Sequence, residues 1–246
     1  MAEMIPPTPY EGSTPSIMKL FRQLKQLPAE FRVVQRFIIF DEESLGPEFM
    51  VMHGRRVWLL AISAETSQMV GSLFAQAAAG SEAHEKLHAF AKEWTWNRPL
   101  PGAIVFPNLR TRHRTQILLD TPFSILTRDD LKETAFEKLF TAEAAELTDG
   151  EINNLRKMFT PEVIVPESFT VRPLERQVDA ELTDRLLDYD QEKVLKDGLH
   201  LLNDAQDVAD DYSVRLVNGV AGSGKSLILL YRVFLIRQLH PHQRIL

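Results

Sequence analysis

The chain has 246 residues, 44% of them hydrophobic and 25% charged, which is the composition of an ordinary globular protein with a core of its own. It contains no cysteine, which excludes disulfides and cysteine-based metal sites and leads us to expect a cytoplasmic location. Its net charge of −6 lacks the basic excess of most nucleic-acid-binding domains, and no stretch predicts a signal peptide or a membrane span.

The first 125 residues predict a mixed α/β domain. Residues 1–16, rich in Pro, Ser and Gly, predict an irregular lead-in, and residues 17–26 have the apolar spacing of an amphipathic helix. Strands are predicted at 32–40, 48–53, 56–62, 103–106 and 116–119, with a tight turn at 53–55. Residues 66–94 favour one or two helices with a break near Gly80–Ser81.

Residues 126–180 are predicted to be a helical connector and an extended linker. Thr127–Asp130 and Thr148–Glu151 both have the form of a capping box and predict helix starts. Residues 181–246 form the third region. Its predicted elements are a helix at 191–203, an acidic loop at 204–211, a strand at 213–217, an apolar helix at 225–239 and the start of a strand at 243–246.

The strongest motif of the chain lies between that short strand and the apolar helix. Its residues are Gly219, Val220, Ala221, Gly222, Ser223, Gly224, Lys225 and Ser226, which match G-x-x-x-x-G-K-[ST]. The glycines permit a backbone path that turns successive N–H groups towards a phosphate, and Lys225 brings a positive charge to the β- and γ-phosphates. The Ser226 hydroxyl is suited to bind Mg²⁺. The motif therefore predicts binding of ATP with Mg²⁺.

Other polar features are less specific. The basic run Arg110–Arg114 is either a phosphate-contacting patch or a solvated loop between two strands, and the solvated loop is the favoured interpretation. His84 and His88 have helical spacing but no identifiable third metal ligand, so we expect exposed helix residues. Trp58, Trp94 and Trp96 are expected in the core or at an interface rather than as platforms for stacked bases.

The surroundings of the P-loop resemble superfamily 1 DNA helicases of the UvrD/Rep type. The segment Leu187–Gln191 lies before the loop as the glutamine motif does in that family, although the 28 residues from Gln191 to Gly219 exceed the usual spacing. The resemblance implies that the Gln191 amide reads the adenine edge. The run from Val217 to Val233, a glycine loop followed by an apolar helix, is also similar to these helicases.

This resemblance implies that residues 181–246 begin a RecA-like parallel-sheet motor domain, and that the chain is the N-terminal portion of an ATP-dependent DNA helicase or translocase. Lys225 would be its catalytic residue, and DNA its partner. Because a second acidic motif and a motor arginine are needed for hydrolysis, we expect no steady ATP turnover from this chain alone. The alternatives are another P-loop NTPase, such as a kinase or signalling ATPase, and a non-enzymatic nucleic-acid or protein interaction module.

Residues 15–125 resemble the nuclease-related domain (NERD), a relative of the PD-(D/E)xK nucleases. The resemblance rests on Gly46–Phe49 entering a strand, on Leu59–Ser63 ending the next strand, and on Val105–Asn108. Glu48 occupies the position of the first acid, but Ala61–Ser63 stands where active members have Glu-x-Lys, and Ile17 stands where a helix glutamate is common. One carboxylate cannot organise a hard cation, so we expect this domain to lack nuclease activity.

Overall fold

The computed structural model describes residues 1–10, 13–36, 46–66, 76, 78–94, 100–132, 140, 146–165, 185–197, 216–220 and 222–239. The chain divides into two compact units, Met1–Phe159 and Thr160–Leu246. This division differs from the predicted boundaries at 125 and 180. The described residues between 126 and 159 make contacts within the first unit. The Leu147 N–H, for example, donates to the Arg55 carbonyl at 2.9 Å.

The elements of the first unit are β1 (Glu3–Ile5), α1 (Pro15–Lys25), β2 (Phe31–Gln35), β3 (Phe49–His53), β4 (Arg56–Ile62), α2 (Ser81–Glu93), β5 (Gly102–Phe106), β6 (Ser124–Thr127) and α3 (Asp149–Phe159). Two 3-10 helices, Thr111–Gln116 and Asp130–Lys132, lie on either side of β6. The described elements of the second unit are the 3-10 helix Pro161–Val163, β7 (Ile164–Val165), β8 (Arg185–Leu186), α4 (Tyr189–Lys196) and α5 (Lys225–Leu239).

One six-stranded sheet in chain order, from β1 to β6, forms the centre of the first unit. Strands β2, β3 and β4 are antiparallel, whereas β1 is parallel to β2, and β4, β5 and β6 run parallel to one another. The expectation of a mixed α/β fold is thereby confirmed. The consequence for the site is that the start of β3 and the ends of β4, β5 and β6 lie at one edge of the sheet.

The expected irregular lead-in is wrong for its first part. Residues Glu3–Ile5 form β1, which pairs with Arg32–Val34. Met4 and Ile5 are buried in the core. A strand of three residues is too short to show an alternating pattern, and it is stabilised by pairing with a strand almost thirty residues away.

The central hairpin and its burial agree with the sequence patterns. Gly54 has φ +59°, which allows the tight turn between β3 and β4. Alternate residues of β4, including Trp58 and Leu60, share a core with the apolar face of α1. On the other face, α2 presents buried Ala83, Leu87 and Phe90 to β4 and β5. After Arg56, β4 is apolar and buried on both faces.

The last strand of the sheet lies elsewhere than predicted. Residues 116–119 do not form a strand, because the 3-10 helix extends to Gln116 and the Ile117 N–H closes its last turn on the Arg114 carbonyl at 3.1 Å. Leu118 is 58% exposed. The strand is β6 instead, which pairs in parallel with β5.

The predicted capping boxes have different outcomes. Glu151 accepts the Thr148 N–H at 2.6 Å and donates its own N–H to the Thr148 hydroxyl at 3.3 Å, so α3 begins at the predicted place. Asp130 accepts the Thr127 N–H at 2.6 Å, but the described helix there is only the 3-10 helix Asp130–Lys132. Residues 133–139 lie outside the described residues.

In the second unit, the apolar helix has the predicted bounds, and α4 begins two residues before the predicted start at 191. The strand expected at 213–217 is not found in its described part, because Leu216 and Val217 are exposed and unpaired with any described strand. β7 lies within the stretch predicted to be an extended linker, and it pairs with β8. The predictions for 198–211, 213–215 and 243–246 lie outside the described residues.

Candidate functional site

The glycine loop has the backbone bends that its sequence predicts. Gly222 and Gly224 have φ +82° and +80°, a left-handed conformation that side chains other than glycine rarely adopt. The Ser223 N–H donates to the Val220 carbonyl at 3.3 Å, and Ile228 begins the helical hydrogen bonding on the Gly224 carbonyl at 2.9 Å. Ala221 lies outside the described residues. The loop therefore leads directly into the N-terminus of α5, where free N–H groups favour an anion.

The Lys225 ammonium lies on this loop. Its Nζ donates to the carbonyls of Gly219 and Val220 at 2.7 and 2.6 Å, and to the Ser223 hydroxyl at 3.3 Å. A Cβ at Gly219 would lie 2.7 Å from the Ser223 Oγ, so a larger residue there would displace the Ser223 hydroxyl from the loop. Ser226 follows in the first turn of α5 and is exposed. The side chain predicted to contact phosphates is thus held at the loop by three oxygen atoms.

Gln191 lies against the same loop. It is the third residue of α4, where its N–H donates to the Asp188 carboxylate at 2.7 Å and its Oε1 accepts the Asp188 N–H at 3.2 Å. Its Nε2 donates to the Ser223 carbonyl at 3.3 Å. The side chain predicted to read adenine therefore takes part in a capping box and also contacts the P-loop. Sequence alone connected Gln191 and the loop only through the helicase resemblance.

A buried ionic cluster joins the elements of the second unit, and sequence reasoning missed it. Lys196 lies 2.7 Å from the Glu162 carboxylate and 2.8 Å from the Glu192 carboxylate, and all three side chains are at most 4% exposed. The only signal was the Glu192–Lys196 spacing, which is usually that of an exposed helix pair. Glu192 is the residue after Gln191, and the cluster connects α4 to the segment before β7.

Two side chains of α5, Arg232 and Tyr231, form hydrogen bonds to other parts of this unit. Arg232 donates to the carbonyls of Val194 and Leu195, both at 2.9 Å, and to that of Asp197 at 2.7 Å. It thereby binds carbonyls at the C-terminal end of α4, where such groups commonly need partners from outside the helix. Tyr231 donates its hydroxyl to the Ile164 carbonyl at 2.7 Å. Burial, and then the Glu162 charge, raise the pKa of Tyr231 to about 12, so the hydroxyl stays a donor at neutral pH.

In the first unit, Glu48 is buried in an ion pair at the start of β3. One carboxylate oxygen accepts the Ile62 N–H at 2.8 Å, and the other lies 2.9 Å from the Lys86 ammonium of α2. Burial raises the pKa of Glu48 above its ordinary value, although Lys86 and the Ile62 N–H act against this. Burial lowers the pKa of Lys86, but its carboxylate partners outweigh that effect and raise it overall.

The surroundings of Glu48 can be compared with the metal-binding carboxylates of the nucleases that the first unit resembles in sequence. Both oxygens of Glu48 are engaged by cationic or N–H donors, and the positions of the expected Glu-x-Lys are Ala61, Ile62 and Ser63. No group of three His, Asp or Glu side chains suited to a metal ion occurs in the part of the chain that the structure describes. The residues at this sheet edge therefore do not fit a metal site like that of the nucleases.

Of the two histidines expected to be exposed, His88 is exposed and His84 is half-buried. Arg110–Arg114 lie in the connection from β5 to β6, largely on the 3-10 helix. His84 and His88 neighbour each other on α2 with ring centroids 5.8 Å apart. Trp58 and Trp94 are buried, and Trp96 lies outside the described residues. None of the described helices is long and apolar enough to cross a membrane.

Comparison with known proteins gives little further information. No family profile and no curated protein matches the sequence. Among solved structures, the chain is similar to the small subunit of the heterodimeric restriction endonuclease R.BspD6I, with 13% sequence identity and a TM-score of 0.31 over 58% of this chain and 78% of that subunit. A TM-score of this size is too low to indicate a shared fold. The helicase and NERD resemblances therefore rest on the sequence motifs.

Proposed function

We propose that the second unit binds the triphosphate of ATP with Mg²⁺. The observation that carries this proposal is the path of the glycine loop, in which two left-handed glycines lead into the N-terminus of α5 while the Lys225 ammonium lies over the loop. A loop of this kind at a helix N-terminus is a strong anion site. The fit with a nucleotide is supported by Gln191, which a separate motif predicts and which contacts the same loop.

The roles follow from the chemistry of each side chain. N–H groups of Gly222–Ser226 would hold the phosphates, and Lys225 would exchange its carbonyl partners for phosphate oxygens. Ser226 would bind Mg²⁺ through its hydroxyl, while the metal neutralises charge on the phosphates. Gln191 would contact the base, but its Nε2 must first leave the Ser223 carbonyl. A preference for adenine would thus be coupled to movement of the loop.

As the finer function, we propose the nucleotide-binding part of an ATP-dependent DNA helicase or translocase. The glutamine motif and the loop sequence support this class. α5 also leaves Leu229, Leu230 and Phe234 exposed, by 65%, 42% and 41%. Such an apolar surface suits a helix that packs on the sheet of a larger motor domain. The first unit would be a nuclease-related module without nuclease activity, since Glu48 is held by Lys86.

The test is a titration with a fluorescent ATP analogue and Mg²⁺, comparing the chain with Lys225→Ala. Loss of one direct charge-assisted contact should weaken binding by at least tenfold. Arg237→Ala is the matched control, because it removes one exposed positive charge from the far end of the same helix. Equal affinities of the Lys225 and Arg237 variants, or no binding by the unmodified chain, would contradict the proposal. GTP competition would test the base preference assigned to Gln191.

A further inference from the structure

A basic cleft lies at the sheet edge where β5 and β6 end. It consists of two adjoining hollows of about 240 and 270 Å³ that share Arg128. We call the two hollows together the basic cleft. Six cationic side chains line it: Lys19, Arg22, Arg110, Arg112, Arg128 and Lys132. They come from α1, from the connection after β5, and from the residues after β6. The Arg110–Arg114 run is therefore only one wall of a larger surface.

The charge of the cleft is only partly neutralised by its surroundings. All six cations are exposed, and among the described residues none of them has a carboxylate within 4 Å. Two acids lie beside them: Asp129 accepts the Thr111 N–H at 2.9 Å and interacts electrostatically with Arg110 and Lys132, and Asp130 accepts the Thr127 N–H at 2.6 Å. Six cations and two carboxylates leave about +4 in this region of a chain whose net charge is −6.

The floor of the cleft is held in place by hydrogen bonds. The Asn108 amide accepts the Lys19 ammonium at 2.6 Å and donates to the Ser16 hydroxyl and the Ala64 carbonyl at 3.0 and 3.1 Å. It thereby joins α1 to the chain just after β4 and β5. The Arg128 N–H donates to the Leu109 carbonyl at 2.8 Å. The cations are thus presented by a connected framework.

We propose that the basic cleft binds the phosphodiester backbone of a nucleic acid. Four of the six cations are arginines, whose planar guanidinium groups match phosphate oxygens in pairs. The cations are spread along two hollows instead of converging on one point, which suits a repeating polyanion better than a single small anion. The Glu48–Lys86 pair at the same sheet edge adds no free negative charge that would repel phosphates. The inference does not depend on nucleotide binding by the second unit.

The experiment is fluorescence anisotropy with labelled single-stranded and duplex DNA and with RNA, using the whole chain between about 50 and 200 mM salt. The test variant is Arg110→Gln with Arg128→Gln, which places one change in each wall of the cleft. Each lost phosphate contact should reduce the steepness of the plot of log affinity against log salt by about 1. The slope of the double variant should therefore be less negative than that of the unmodified chain by about 2. The three probes identify which nucleic acid is preferred.

Matched variants make the result specific. Lys92→Gln with Lys157→Gln removes two cations of the first unit that do not line the cleft, and its salt slope should equal that of the unmodified chain. Lys225→Ala should also bind nucleic acid normally, which separates this inference from the proposed nucleotide site. Tryptophan fluorescence should show unchanged folding of each variant.

Three results would overturn the inference. They are no binding by the unmodified chain at the lowest salt, an equal loss of slope in the cleft and control variants, and binding to polyglutamate or anionic vesicles as tight as to nucleic acid.

Discussion

The Glu48–Lys86 pair gives the sharpest test of the first unit. Its side chains are 8% and 19% exposed, so replacing Lys86 with Met leaves a buried carboxylate without its cation. At 2.9 Å and an effective dielectric constant of about 20, the lost attraction is about 6 kcal/mol. The protein need not bear that whole cost, because Glu48 can instead take up a proton.

Protonation sets an upper limit to the destabilisation, and that limit depends on pH. Keeping a carboxyl with an ordinary pKa of 4.5 protonated costs about 3.4 kcal/mol at pH 7 and about 0.7 kcal/mol at pH 5. Because the pKa of Glu48 is raised in the folded chain, its stability contribution is present below 4.5 and is lost as pH rises through the raised value. Lys86→Met raises that pKa further. We therefore expect a free energy of unfolding lower by about 2–3 kcal/mol at pH 7 and by less than about 1 kcal/mol at pH 5.

The assay is urea unfolding followed by tryptophan fluorescence, which reports the first unit because Trp58, Trp94 and Trp96 all lie in it. Lys92→Met is the control, since it changes an exposed lysine of the same helix. Adding Glu48→Gln to Lys86→Met removes the unpaired charge and should restore much of the stability at pH 7. A loss that is the same at both pH values would refute the reasoning, because it would show that lost packing and not the stranded carboxylate is responsible.

Three further predictions concern the second unit. Gly219→Ala places a methyl carbon 2.7 Å from the Ser223 Oγ, so that hydroxyl must move from its place beside Lys225, and binding of the ATP analogue should weaken, whereas Gly150→Ala, at an open position of the first unit, should leave it unchanged. Lys196→Met removes the ammonium that lies against buried Glu162 and Glu192 and should lower stability by about 3–5 kcal/mol, measured by hydrogen exchange of α4 amides. Protection equal to that of the unmodified chain would show that Lys196 is not a folding constraint. Tyr231→Phe loses the bond to the Ile164 carbonyl and should cost about 1 kcal/mol near pH 7 by the same measurement. Because the pKa of Tyr231 is raised from 10.0 to about 12, its contribution is present below pH 10 and is lost as pH rises through 12, so the Phe variant should lack that loss.

Elements specified by local sequence were predictable. β4 is one apolar run after a glycine turn, and its bounds were predicted to the residue. The same holds for α5, which begins at the lysine of the loop. The Thr148–Glu151 capping box marked the start of α3 because both of its hydrogen bonds are local. In each case the residues that define the element also stabilise it.

Elements specified by distant partners were not predictable. QILL at 116–119 is as apolar as SILT at 124–127, and only the parallel pairing with β5 selects the second as β6. Glu48 and Lys86 are separated by 38 residues, and nothing near either of them indicates a buried pair. The same limit applies to Lys196 and Glu162. For Gln191, residue type favoured an exposed side chain, and only the family resemblance linked it to the loop.

The two features at the sheet edge of the first unit support one another. An ionised Glu48 without Lys86 would place a negative charge where β3 begins, at the same edge of the sheet as the ends of β5 and β6. With Lys86 in place, the Glu48 carboxylate is paired, and the exposed cations of the basic cleft favour phosphate binding without assembling a cation for hydrolysis. The Ala61–Ser63 segment, which has no acid or lysine, and the arginines of the basic cleft both fit the proposed role of the first unit, holding nucleic acid without cleaving it.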